Sequence, residues 1–405
     1  MIFPYSTHLQ IWLKNQSLYK HDIELSRMDI DIEKSSRFAT ALIFFLASIG
    51  VVYFHLNGSQ FYISYDFGLK AILAYLKQHS FFFVIVELFS GSCAVIGLFL
   101  ITSGYGLSKN YNKTPAYLFL LNRFKKVYLY SFFMALICTL TVFLVDKTWA
   151  FNFWHSFLLL DGFYDKLPRD RATIQYWYLA LAFTYYFAFI TFRRIRSTGS
   201  LLTWSLVVAH VFGICMILQK ESIVDFNFQP LAFVSFYHSC VGRFPEFVAG
   251  MFLARHRILE NLFFRFSYTR LIFGIVWVFT GYCSFFNQLS YLSSHFIYST
   301  GLFFFLSQLA GFLMRWPSCV RYISFLSGGT FSLYCLHMIS IDYAFTFLSN
   351  ITGNISFPKE IIRLFSDFFI ILCCIFILLI GNKIELRYRS VMQKIWPSKS
   401  YHTIQ

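Results

Sequence analysis

About ten runs of apolar residues, each near bilayer-crossing length and separated by short polar breaks, recur along this 405-residue chain. An α-helix rises 1.5 Å per residue, so roughly 20 apolar residues span the hydrocarbon layer. The runs predict helices near 38–55, 82–104, 127–145, 176–192, 201–218, 232–254, 270–286, 296–314, 329–347 and 362–381. With 57% hydrophobic and only 13% charged residues, the chain holds more apolar surface than a soluble domain can hide. The expected fold is therefore an all-α polytopic membrane protein. A cytoplasmic segment 1–37 and a cytoplasmic tail 382–405 would flank one membrane domain over 38–381.

The net charge of +15 would suggest nucleic acid in a soluble protein. Here the cations sit between the apolar runs, where they act as orientation signals and argue against nucleic acid as a partner. Alternate segments, beginning with the N-terminus, carry 23 Lys and Arg against 8 in the others. By the positive-inside rule both termini are expected in the cytoplasm, with the loops around Lys109–Lys126, Arg193–Arg196 and Arg255–Arg265. The first 37 residues mix both charge signs without a continuous apolar core, so no cleavable secretory signal is expected. The nine cysteines show no paired CxxC spacing, and neither a zinc site nor a disulfide framework follows. The longest outer segment, 146–175, is rich in Trp, Phe and Tyr and reads as an interfacial or re-entrant piece.

Polar side chains inside apolar helices are costly and mark candidate sites. His55 closes the first run, and an imidazole is well suited to moving a proton near neutral pH. Glu87, near the start of the second run, falls close to His55 in depth and would fix its tautomer. The stretch Ser103-Gly104-Tyr105-Gly106 at the end of that run allows close backbone approach, to a ligand or to a neighbouring helix. Arg123, Lys125 and Lys126 serve either topology or the phosphates of a cytosolic ligand. Arg243 and Glu246, at i and i+3, share a helical face and read as an internal ion pair or as substrate-handling groups. Tyr334 and His337 share a face in the same way, with His337 read first as a satisfied core histidine.

In this order the motifs resemble the acyltransferase 3 family of bacterial integral-membrane acyltransferases. The resemblance rests on the first-helix His55, Phe99 with Ser103-Gly104-Tyr105, Arg123 through Tyr128, and Trp177-Tyr178-Leu179 with Tyr186. It continues through Arg243-Phe244, Glu246-Phe247 and Gly250, then Ser332-Leu333-Tyr334 with His337, and a late Glu385. It implies transfer of an acyl group, commonly acetyl from acetyl-CoA, to a hydroxyl of a surface or lipid-linked glycan such as lipopolysaccharide, at the bacterial inner membrane. Acyl-CoA would be a substrate and no cofactor would stay bound. His55 would act as general base, Arg123 with Lys125 and Lys126 would hold the donor phosphates, and Arg243 would orient a substrate with Glu246 holding it. Tyr105, Trp177 and Tyr178 would line the pocket.

Two departures stand out. The family pattern has an Arg eleven residues before the first-helix His, where this chain has Phe44; the nearest upstream Arg is Arg37. Eighteen residues make five whole turns, so Arg37 shares a face with His55, but about 10 Å further along the axis than the pattern has it. A Glu common in relatives after the Trp-Tyr-Leu triplet is also absent. The alternative function is a transporter or exporter of a glycan or small solute, which ten helices with internal polar residues would equally suit. No matched pair of broken helices favours it.

Overall fold

A computed structural model describes residues 32–52, 94–111, 113–147, 177–218, 240–284, 288–337 and 359–395. Among these residues the fold is all-helical, with no strand. In lipid an unsatisfied peptide group costs several kcal/mol, and a helix satisfies its own backbone. Among the described residues four helices are long and apolar enough to cross a membrane: Ile32–Val52 (α1), Ala116–Val145, Thr198–Cys215 and Leu292–Leu313. A fifth span arises if Arg257–Phe264 and Tyr268–Ser284, bent by 92° to one another, count as one.

The other helices are α2 (Ala94–Asn110), α3 (Ala116–Arg123), a π-helical turn (Phe124–Tyr128) and α4 (Leu129–Asp146). Then come α5 (Trp177–Phe192), α6 (Thr198–Leu218), α7 (Phe244–Arg255) and α8 (Arg257–Phe264). The chain continues through α9 (Tyr268–Ser284), α10 (Gln288–Leu313), α11 (Pro317–Ser327), α12 (330–337) and α13 (Lys359–Ile395).

Several boundaries differ from the sequence expectation: Ala116–Val145 starts eleven residues before 127, α10 starts at Gln288 where 296 was expected, and α2 runs on to Asn110, past 104. The first helix is already formed at Ile32, six residues before 38, because Glu33 and Arg37 pair at i and i+4 and extend it into the polar segment. The last helix runs on through 382–395, where a tail was expected, held by Asn382 Nδ2 bonding Phe325 O at 3.0 Å and Tyr388 Oη bonding Lys125 O at 2.7 Å.

Small residues set the packing. A Cβ on Gly104 would lie 2.0 Å from Phe247 O, and one on Gly250 would lie 2.0 Å from Ile101 O. Helices α2 and α7 therefore touch backbone to backbone, a contact that only glycine permits. Apolar side chains left outside this core, such as Trp204, Val208 and Val211 on α6 and Ile272, Phe273 and Val276 on α9, are exposed. That is the arrangement expected of helices solvated by lipid.

The expected basic segments meet at one end. Ser35 Oγ bonds Phe264 O at 2.6 Å, Arg193 Nη1 bonds Tyr111 O at 3.1 Å, and Arg255 bonds the carbonyls of Ile195 and Arg193 at 2.6 and 2.5 Å. Arg315 Nη1 reaches Tyr268 Oη at 3.0 Å. We call this the basic end.

Candidate functional site

Arg243 immediately precedes α7, with Pro245 in the first turn, where its missing N–H leaves no bond unmade. Its Nη1 lies 2.9 Å from Glu246 Oε1, and the two side chains are 0% and 1% exposed. The helix N-terminus adds favourable potential for the carboxylate. The guanidinium reaches α2 at Gly97, where a Cβ would stand 3.3 Å from Arg243 Nη2 and 2.1 Å from Ser299 Oγ of α10. Three helices thus converge on one buried polar group, and Gly97 makes the space for it.

On α12, Tyr334 and His337 are both buried. His337 Nδ1 lies 2.6 Å from Tyr334 O, one turn back on the same helix. The Tyr334 ring lies 6.4 Å from Phe99, whose ring lies 5.5 Å from Phe44, so this pair faces the seam between α1 and α2. His295, buried one turn before Ser299 on α10, is an imidazole missing from the sequence reading. The eighth expected span begins at 296, one residue past it, and the polar run Ser293-Ser294-His295 is the signal in the sequence.

At the basic end a cavity of about 720 Å³ opens between the start of α1, the last turn of α2 and the α7–α8 junction. Arg37, Lys109, Arg255 and Arg257 line it, with the carboxylates of Glu33 and Glu260. Arg37 Nη2 contacts Glu33 Oε1 at 2.6 Å, and Lys109 Nζ contacts Glu260 Oε1 at 2.5 Å. Tyr105 Oη donates to the same Glu260 oxygen at 3.0 Å. Arg37, a candidate expected to share a helical face with His55, lies at this mouth. Fifteen residues of helix separate it from Val52, a rise of about 22 Å.

The Arg123 cluster is not one cradle. The Arg123 guanidinium sits over rings, 4.4 Å from the Tyr111 centroid, 5.6 Å from Phe119 and 5.7 Å from Tyr186. Lys125 is buried, whereas Lys126 is exposed and within electrostatic reach of Arg123, Arg389 and Glu385. The π-turn breaks the regular i, i+4 register between them, and the Lys125 carbonyl accepts the Tyr388 hydroxyl. The link from this cluster to the cavity runs through backbone: Arg193 bonds Tyr111 O, and Arg255 of the cavity wall bonds Arg193 O.

Ser103 is half-buried on α2. Trp177 and Tyr178 begin α5, with side chains outside the described residues; His55 and Glu87 also lie outside them. Among the described residues no group of three or more His, Cys, Asp or Glu is placed to hold a metal ion.

A family model described as an acyltransferase domain matches residues 45–381. No curated protein and no solved structure gives a significant match.

Proposed function

Because this chain belongs to the acyltransferase 3 family, whose domain covers most of its length, we propose that it is a multi-pass enzyme that transfers an acyl group, acetyl in the simplest case, from acyl-CoA to a glycan hydroxyl. The observation that carries the donor assignment is the cavity at the basic end, where four cations from three parts of the chain surround about 720 Å³. A CoA thioester carries a diphosphate and a phosphomonoester, and guanidinium and ammonium groups are the natural partners of such oxygens. In this reading Arg37, Lys109, Arg255 and Arg257 hold the nucleotide end. Arg123, sequestered over its rings, supports the wall through Tyr111.

The sidedness follows from charge. The segments gathered at the basic end are the Lys- and Arg-rich ones, so this end faces the cytosol, where acyl-CoA is made. Ten spans with both termini cytosolic accommodate that orientation, in the inner membrane of a bacterium. The acceptor, a lipid-linked or lipopolysaccharide sugar, would meet the opposite end, where His55 closes the first span.

There the hydroxyl oxygen attacks the thioester carbonyl while the His55 imidazole takes its proton. The C–O bond forms, the C–S bond breaks, and the proton passes to the departing thiolate. General base catalysis of this kind contributes about 10² to 10⁴ in rate. In this reading the buried Arg243, held by Glu246, orients a substrate on its way to that end.

The test supplies labelled acetyl-CoA to membranes and follows label into glycan. Wild type is expected to transfer label, His55→Ala to lose transfer without losing donor binding, and Arg37→Gln with Arg257→Gln to raise the KM for donor. Undiminished transfer by His55→Ala would remove the proposed base.

A further inference from the structure

One carboxylate in the cavity wall is placed where it competes with the ligand the cavity is built to hold. Glu260 is 5% exposed, and its Oε1 receives both Lys109 Nζ at 2.5 Å and the Tyr105 hydroxyl at 3.0 Å. The other carboxylate of the cavity, Glu33, pairs with Arg37 at 2.6 Å, but those side chains are 63% and 65% exposed. An exposed pair contributes between nothing and about 1 kcal/mol. The Glu260–Lys109 pair, with its carboxylate shielded, is the one an incoming anion has to break.

We propose that Glu260 is a resident counter-anion that surrenders Lys109 to a phosphate of the entering donor and reclaims it to expel spent CoA. The inference rests on the reading of the cavity as the donor port. Of the two partners, Lys109 is the one able to move: it sits in the last turn of α2, and its side chain is 41% exposed. Glu260 is fixed. It occupies the first turn of α8 after the extended His256, its N–H bonds His256 O at 3.0 Å, and its carboxylate keeps the Tyr105 hydroxyl when Lys109 leaves. The helix N-terminus further stabilises its charge.

The device has a purpose in turnover. Acyl-CoA and CoA carry the same phosphates, so every cation that tightens the donor tightens the product equally. Uniform binding of this kind lowers KM without raising kcat, and product release then limits the cycle. A carboxylate that takes back one cation weakens both ligands by the same fixed amount and speeds the exit of CoA.

The experiment titrates CoA against the purified full chain in lipid nanodiscs, for wild type, Glu260→Gln, Lys109→Gln and the double variant. Gln keeps an oxygen for the Tyr105 hydroxyl while removing the charge. Glu260→Gln is expected to bind CoA about three- to tenfold more tightly, the size expected of one charge at a half-open site, with dissociation slowed to match. A variant that folds poorly cannot produce this gain. The gain is expected to shrink when Lys109 is already Gln. Glu260→Gln binding CoA no more tightly than wild type, or gaining equally in both backgrounds, overturns the exchange of Lys109 while leaving the donor port standing. Lys109→Gln binding CoA as wild type does would overturn the port itself and this inference with it.

Discussion

Arg243 Nη1 lies 2.9 Å from Glu246 Oε1, in a part of the protein where neither side chain is accessible. Removing one member of such a pair strands the other charge, at a cost of about 3 to 5 kcal/mol, whereas replacing both with apolar groups of similar size is often neutral or stabilising. Arg243→Met and Glu246→Leu are therefore each expected to lower the unfolding temperature of the purified protein, and the double variant to recover it. Glycan labelling is expected to stay low in all three, because the stable double variant still lacks the guanidinium. Recovered labelling in the double variant would make the pair purely structural.

The close approach of α2 and α7 predicts a sharp contrast among glycines within one turn. Gly104→Ala places its Cβ 2.0 Å from the Phe247 carbonyl, and Gly250→Ala meets the Ile101 carbonyl at the same distance. Backbone cannot yield as a flexible side chain does, so both variants are expected to give little folded protein. Gly106→Ala meets nothing within 4 Å. There the change is expected to stabilise by up to about 1 kcal/mol, the difference in helix propensity. Folded yield and unfolding temperature in detergent read all three.

Glu385, beyond the expected last span, is largely buried. Burial holds its carboxyl above the ordinary range, while the neighbouring Arg389 and Lys126 pull the other way. A carboxyl whose folded pKa is raised binds its proton more tightly in the folded state. Its contribution is complete below the unfolded value of about 4.3 and is lost as pH rises through the folded one. Unfolding temperatures taken upward from about pH 4 are expected to carry this fall in wild type, and Glu385→Gln to flatten it. An identical slope in the variant would exclude Glu385 as the source.

The architecture was legible where it depends on one segment at a time. Apolar length predicts spans near 38–55, 127–145, 201–218 and 296–314. The helices Ile32–Val52, Ala116–Val145, Thr198–Cys215 and Leu292–Leu313 match them to within six residues except at Ala116, which is eleven residues early, because a helix in lipid answers mainly to its own hydropathy. The i, i+3 spacing likewise placed Arg243 with Glu246 and Tyr334 with His337, since the helical repeat alone brings such residues together.

Hydropathy says nothing about which polar groups meet across helices, and there the tertiary structure decided. Tyr105 and Glu260 are 155 positions apart, and no pattern in either segment announces that Lys109 joins them. Arg123, Lys125 and Lys126 looked like one basic patch, yet the π-turn and the rings of Tyr111, Phe119 and Tyr186 send them to different surroundings. Helical periodicity gave Arg37 a face but no neighbours from other helices; the position of α1 against Phe264 puts it at the cavity mouth. The sequence by itself determined an all-helical membrane protein of this family, four of its expected spans and its short-range ion pair, because these follow from local solvation and helical periodicity. The cavity, and the cations that converge on it, exist only because glycine contacts between α2 and α7 bring distant segments to one depth.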